Sequence, residues 1–377
     1  MLLGALVASL AGCSREMPPV QFVAEGKPAK LSDWHLMSAS RGRLVLNKGV
    51  VPYDLNTPLF SDYAHKLRTV WMPAGAAARY NAGDIFDMPV GTVVSKTFYY
   101  PRVKGEASDS QRVLQTYDSA RDFAGVGLDL DNVRLIETRL FVRRADGWIA
   151  LPYVWNTEQT EATLARTGDQ MPLELVADKG ASQKFTYVVP NENQCASCHV
   201  TALKSKAVQP IGLKARHLNR DYAYAGGTEN ELVHLAKAGY LSGLPENPMD
   251  VPRAADWRDE SQPVMARARA YLDINCAHCH NGRGGANTTA LSLDAFAPLD
   301  RTMGICKPPV AAGKGTGDRL FGIVPGKPDE SIMAYRLASA EGGVMMPELG
   351  RSTVHAEGVA LIRQWIASLP GACSAGP

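Results

Sequence analysis

Residues 31–190 are dominated by short runs of β-branched and aromatic side chains in which apolar and polar positions alternate. This pattern predicts strands. Residues 90–100, Val90-Gly91-Thr92-Val93-Val94-Ser95-Lys96-Thr97-Phe98-Tyr99-Tyr100, form one such run and end at Pro101. Arg134 to Arg143 alternates in part, Asp146-Gly147 is a hairpin cue, and Trp148-Ile149-Ala150-Leu151 resumes the extended pattern. Lys184 to Val189 predicts a further strand. Several short strands with turn punctuation imply a β-sandwich-like domain over 31–190. Its aromatic residues Tyr99, Tyr100, Trp148 and Trp155 are expected in the core, with a carbohydrate- or partner-binding face as the other role open to them.

The periodicity changes after Asn191. Thr228-Glu229-Asn230-Glu231 has the form of a capping box and predicts a helix from Glu231 to Gly239. Residues 243–263 are rich in proline and charge, the composition of a linker. Val264 to Asn275 predicts another helix. Val359, Ile362, Trp365, Ile366 and Leu369 fall at helical spacing before Pro370-Gly371 stops the run.

A chain of 377 residues with 45% hydrophobic content has room for two or three packed domains. Lys+Arg 40 against Asp+Glu 38 leaves a formal charge of +2, and there is no long basic run, so no nucleic-acid partner is expected. No stretch approaches the 18 consecutive apolar residues that indicate a spanning helix.

Cysteine spacing carries the chemistry. Cys195-Ala196-Ser197-Cys198-His199 and Cys276-Ala277-His278-Cys279-His280 are both C-x-x-C-H, the pattern of c-type haem attachment. Two thiols two residues apart can bond to the two vinyl-derived carbons of one haem, and the next histidine can ligate its iron. Two covalently bound haem c groups are therefore expected, with His199 and His280 as proximal ligands. A zinc ribbon would place its second pair about 15–20 residues after the first, far closer than Cys276 lies to Cys198. A thioredoxin-like site would not require the histidine twice. His278 is expected to be a spacer.

Met1 to Leu10 is apolar and is followed by Leu10-Ala11-Gly12-Cys13, which resembles the lipobox of bacterial lipoproteins, although no Lys or Arg precedes Cys13. The resemblance implies a signal peptide over 1–12, lipidation at Cys13, a tether over 13–30 and a periplasm-facing location. Ser14 favours the outer membrane, with the inner membrane as the alternative. Of the seven cysteines, Cys13 and the four haem thiols leave Cys306 and Cys373, a plausible disulfide in an oxidising compartment.

Helix, C-x-x-C-H, long loop, Met-Pro and amphipathic terminal helix occur in that order over about 264–370, which resembles a class I cytochrome c domain. The resemblance implies that the methionine before the proline is a distal iron ligand. Met345 and Met346 are the candidates, Met346 directly precedes Pro347, and a gap-filling core methionine is the alternative. For the first haem, His217, His234 and Met249 are candidate distal ligands, beside a ligand from the β-rich domain or an open position.

The stretches Pro52 to Tyr63, Pro89 to Thr92, Tyr153 to Asn156, Pro190 to Cys195 and Leu218 to Tyr222 are similar to a family of bacterial di-haem c-type cytochromes, often lipoproteins, of largely uncharacterised function. The resemblance covers nearly the whole mature chain. The expected fold is α+β and multidomain. A β-rich domain (31–190) precedes two mostly α-helical cytochrome c-type modules, a first haem module (191–245) and a class I cytochrome c-like domain (264–377), joined by a linker (246–263). The expected function is single-electron transfer between a periplasmic donor and an acceptor, with a periplasmic dehydrogenase or other cytochromes as partners and no catalytic residue assigned. His280/Met346 ligation would give the second haem the higher potential, so electrons would run from the first to the second. The rival is a peroxidase-like di-haem enzyme with an open distal site at the first haem.

Overall fold

A six-stranded antiparallel sheet is the frame on which the rest of the chain is laid. The computed structural model describes residues 16–119, 122, 127–177, 180–247, 250–311 and 313–374. In spatial order the strands are Ala162–Leu164, Gly147–Trp155, Val133–Arg144, Val93–Pro101, His65–Trp71 and Val51–Tyr53. The sequence cues have a direct outcome here: residues 145 and 146 form the turn between strands that pair Arg144 with Gly147.

The two faces of this sheet follow the period of two along each strand. Leu67, Val93, Tyr99, Leu140, Val142 and Leu151 point to one side and pack against Leu44 and Leu128 of a smaller sheet formed by Met37–Ser40, Arg43–Leu46 and Gly127–Asp129. Gly127 permits that approach, since a Cβ there would come within 1.7 Å of the Leu44 carbonyl oxygen. Buried polar groups on this side are paired. Trp34 Nε1 donates to Tyr153 Oη at 2.9 Å, and Trp155 Nε1 donates to Thr138 Oγ1 at 2.9 Å. Tyr99, Tyr100 and Trp155 are core residues, and Trp148 is partly buried.

The opposite face carries Val70, Val94 and Phe141, which pack against Leu213, Leu218, Leu232 and Leu235. Farther along, Phe98, Tyr100 and Ile136 meet Leu173, Leu175 and Tyr187 of a third sheet (Arg112–Leu114, Asp169–Val176 and Ser182–Val189).

The expectation of two mostly α-helical haem modules is corrected by the fold. The chain is mostly β, 28% strand against 18% helix, and its helices are short. In the 191–245 stretch they are α1 (Glu192–His199), α2 (Ala215–Leu218) and α3 (Glu231–Lys237). Its apolar side chains share one core with the sheet, so it does not form a separate helical core. Asn230, not Thr228, caps α3: its side chain accepts from the Leu232 and Val233 amides, while Thr228 lies in the Gly227–Asn230 strand. Beyond the expected linker come α4 (Val264–Asn275), α5 (Ile332–Leu337) and α6 (Ala356–Ser368). Here Leu272 and Tyr271 pack against Ile362, Trp365 and Ile366. The long stretch between α4 and α5 is turns and 3-10 segments, in keeping with its many glycines and prolines. The 243–263 stretch is packed down: Trp257 is buried, and Ala254 N donates to Arg216 O at 2.7 Å.

Cys306 and Cys373 are joined by a disulfide that closes a loop of 67 residues around this C-terminal part. Among the described residues no helix is long and apolar enough to cross a membrane. Residues 1–12, Cys13 and Met249 lie outside the described residues.

Candidate functional site

The first motif is α1 itself. Asn191 starts it with a capping box, accepting from the Gln194 amide at 2.8 Å while Gln194 Oε1 accepts from the Asn191 amide at 3.0 Å. Cys195, Cys198 and His199 thus sit on one helical turn. The second motif continues α4 beyond its last residue: Cys276 N and His280 N donate to Leu272 O and Cys276 O, each at 2.9 Å. Asn275 fixes the entry by accepting from the Phe60 amide at 2.9 Å and donating to Tyr271 O at 2.9 Å. All four thiols are free of disulfides.

Both motif histidines are set up alike. His199 Nδ1 bonds to Gln209 O at 2.8 Å; a carbonyl only accepts, so this nitrogen carries the proton. His280 Nδ1 lies 3.2 Å from Thr289 Oγ1, whose own hydrogen is committed to Ala286 O at 2.7 Å, so His280 also donates through Nδ1. Among the described residues neither Nε2 has a hydrogen-bond partner. Burial lowers the His199 pKa to about 3, helped by the nearby Lys96 charge, and lowers that of His280 to about 4. Each ring is therefore neutral, held in one tautomer, with a lone pair on Nε2. That is the arrangement an imidazole iron ligand needs.

His199 rests against the second face of the sheet, its ring 4.3 Å from that of Phe141. A cleft, part of it open to solvent, runs from there between the sheet and the C-terminal segment. Cys198, His199, His278 and Met346 all line it; His280 is not among its lining residues. Its floor is unusual. Register places Arg68 beside Lys96 and Lys96 beside Arg139, three cationic side chains side by side on adjacent strands. Like charges in such positions repel. Arg68 is paired with Asp54 and Arg139 with Glu137, but among the described residues Lys96 has no carboxylate within salt-bridge reach. Burial, reinforced by Arg139 and Arg68, brings the Lys96 pKa down to about 7. A wall of this kind calls for an anionic occupant. The two propionates of a haem meet that requirement, and the apolar neighbours Val94, Phe98 and Phe141 suit its macrocycle.

The far wall is held by Asp62. Its carboxylate accepts from the Ser352 amide at 2.8 Å and from the Thr353 amide and hydroxyl at 2.7 and 2.8 Å. Asp62 and Tyr63 both adopt left-handed backbone, with φ of 50° and 62°, a conformation sustained only where surroundings fix it. Arg351 then ties the Met346 turn by donating to Met346 O at 2.8 Å and Ser339 O at 2.7 Å. His355 stacks on Phe60 at 4.1 Å and bonds to Tyr117 Oη at 2.7 Å and Tyr271 Oη at 2.9 Å, so both of its nitrogens are engaged.

The remaining histidines named from sequence are elsewhere. His217 is buried with Nε2 3.2 Å from Asp273, and His234 stacks on Tyr224 and bonds to Glu229 at 2.9 Å. Neither lines the cleft. Among the described residues no three His, Cys, Asp or Glu side chains converge as a metal site. A porphyrin supplies its own four nitrogens and does not require such a cluster. Sequence inspection missed Arg68, Lys96, Arg139, Asp62 and His355. The only signal was charge interrupting apolar strands at Lys96 and Arg139. His278, expected to be a spacer, is 8% exposed, and among the described residues its Nδ1 has no partner.

Comparison with family models, with curated proteins and with solved structures returns no match.

Proposed function

We propose that this chain is a di-haem c-type cytochrome that passes single electrons between a donor and an acceptor outside the cytoplasm. In this proposal Cys195, Cys198 and His199 hold one haem, and Cys276, Cys279 and His280 hold the other. The observation that carries it is the matched state of the two motif histidines: each is buried, neutral and anchored through Nδ1, with Nε2 left for iron. Haem supplies the one-electron iron couple when bound. The protein's residues do the rest. The thiols fix the group in place, Phe141 and Val94 keep its surroundings apolar, and Arg68, Lys96 and Arg139 offer charge to its carboxylates. Met346, whose carbonyl accepts from Arg351, lines the cleft and is the proposed distal sulfur ligand of the haem held by His280. Attachment by Cys13 to the outer membrane, and a periplasmic dehydrogenase or cytochrome as partner, complete the proposal.

Spectroelectrochemical titration of the matured protein tests it. Two reversible one-electron waves, with reduced spectra unchanged by carbon monoxide, are expected. Irreversible waves, or turnover of peroxide by a haem that binds carbon monoxide, would instead point to an enzyme.

A further inference from the structure

The two motifs are far apart in the chain but touch in the fold. Cys279 Sγ lies 3.7 Å from Ser197 O, inside the first motif. Backbone locks the pair together: Leu203 N donates to Arg283 O at 2.8 Å, and a Cβ on Gly285 would stand 3.8 Å from Ser197 O. The second loop cannot relax away, because Gly284 is pressed so closely on Cys279 that a Cβ there would reach its carbonyl oxygen at 2.4 Å.

We infer that this contact between the motifs holds the two haem groups close together, with Cys279 against the first motif, and that this approach is the electron path inside the molecule. The inference rests on the proposed function and adds its wiring. Cys279 would supply one of the two thioethers of its haem, so its approach to the first motif would leave a short gap between the two macrocycle edges. His278, with its unpartnered buried Nδ1, lies inside the second motif next to Cys279. The step it serves is an exchange of one electron: one iron is oxidised, the other reduced, and no bond is made or broken.

Electron paramagnetic resonance on the matured full chain, with intact mass measured on the same sample, tests this. Two haems by mass are expected, with fully oxidised signals broadened by mutual coupling and integrating to clearly fewer than two isolated spins per chain. Addition of one electron equivalent by reduction should then sharpen the remaining signal. Two haems by mass with two narrow, independent signals integrating to two spins would overturn this inference while leaving the proposed function standing. A mass short of two haems would overturn both.

Discussion

Arg216 and Asp273 form a buried two-pronged ion pair, Nε to Oδ2 at 2.6 Å and Nη2 to Oδ1 at 2.9 Å, which clamps α2 to α4. His217 adds a third contact to the same carboxylate at 3.2 Å. α4 leads directly into the second motif, so this clamp helps set where the two motifs meet.

Asp273→Asn leaves Arg216 buried without its counter-charge. A loss of about 3–5 kcal/mol is expected, as for breaking other buried pairs. Denaturant unfolding of the matured protein measures it. A loss below about 1 kcal/mol would show that the clamp is not structural.

The same group predicts acid sensitivity. Burial alone would raise the Asp273 pKa, but hydrogen bonds from His217 and Arg216 override it and hold the carboxyl well below its ordinary range. A carboxyl depressed on folding contributes stability above about pH 4 that is lost as pH falls towards its folded pKa. Burial also lowers the His217 pKa, so the folded state loses further stability as pH drops below about 6.5. Unfolding midpoints should therefore fall from pH 7 to pH 4 through His217 and further below pH 4 through Asp273, and the loss below pH 4 should flatten in Asp273→Asn. An unchanged slope below pH 4 in that variant would refute the assignment.

Cys373→Ser opens the disulfide loop. In the chain-entropy model a loop of 67 residues is worth about 4 kcal/mol. Thermal unfolding under non-reducing conditions should show a loss of about 2–5 kcal/mol, and the parent protein should lose the same amount on reduction. Equal stability of variant and parent would contradict the estimate.

Lys96→Met removes a buried cation from the cleft wall. Positive charge favours the reduced iron, so the midpoint potential of the haem beside His199 should fall, with the other wave moved less. A rise, or an equal shift in both waves, would place Lys96 away from the first haem.

Met346→Ala should open one haem to carbon monoxide, seen as a shifted reduced spectrum. His217→Ala and His234→Ala should bind none, because both side chains are committed outside the cleft. Carbon monoxide binding in either histidine variant would reverse that assignment.

Local chemistry was legible in the sequence, and long-range packing was not. Both C-x-x-C-H motifs and the strands around Val93, Leu140 and Ile149 follow from spacing and side-chain type. The helical modules did not form because Leu213, Leu218 and Leu232 found a sheet face to bury against, an outcome that periodicity within the segment cannot reveal. The cationic row was hidden for the same reason: Arg68, Lys96 and Arg139 become neighbours only through strand register. The contact between Cys279 and Ser197 depends on the whole fold closing around it.

Intact mass of the mature chain, produced with the haem-attachment machinery and denatured before measurement, tests the central claim most directly. The polypeptide mass plus two haems is expected, falling by one haem when Cys195 and Cys198 are both replaced by Ser and likewise for Cys276 and Cys279. The bare polypeptide mass, or a single haem that survives loss of either motif, would contradict the account.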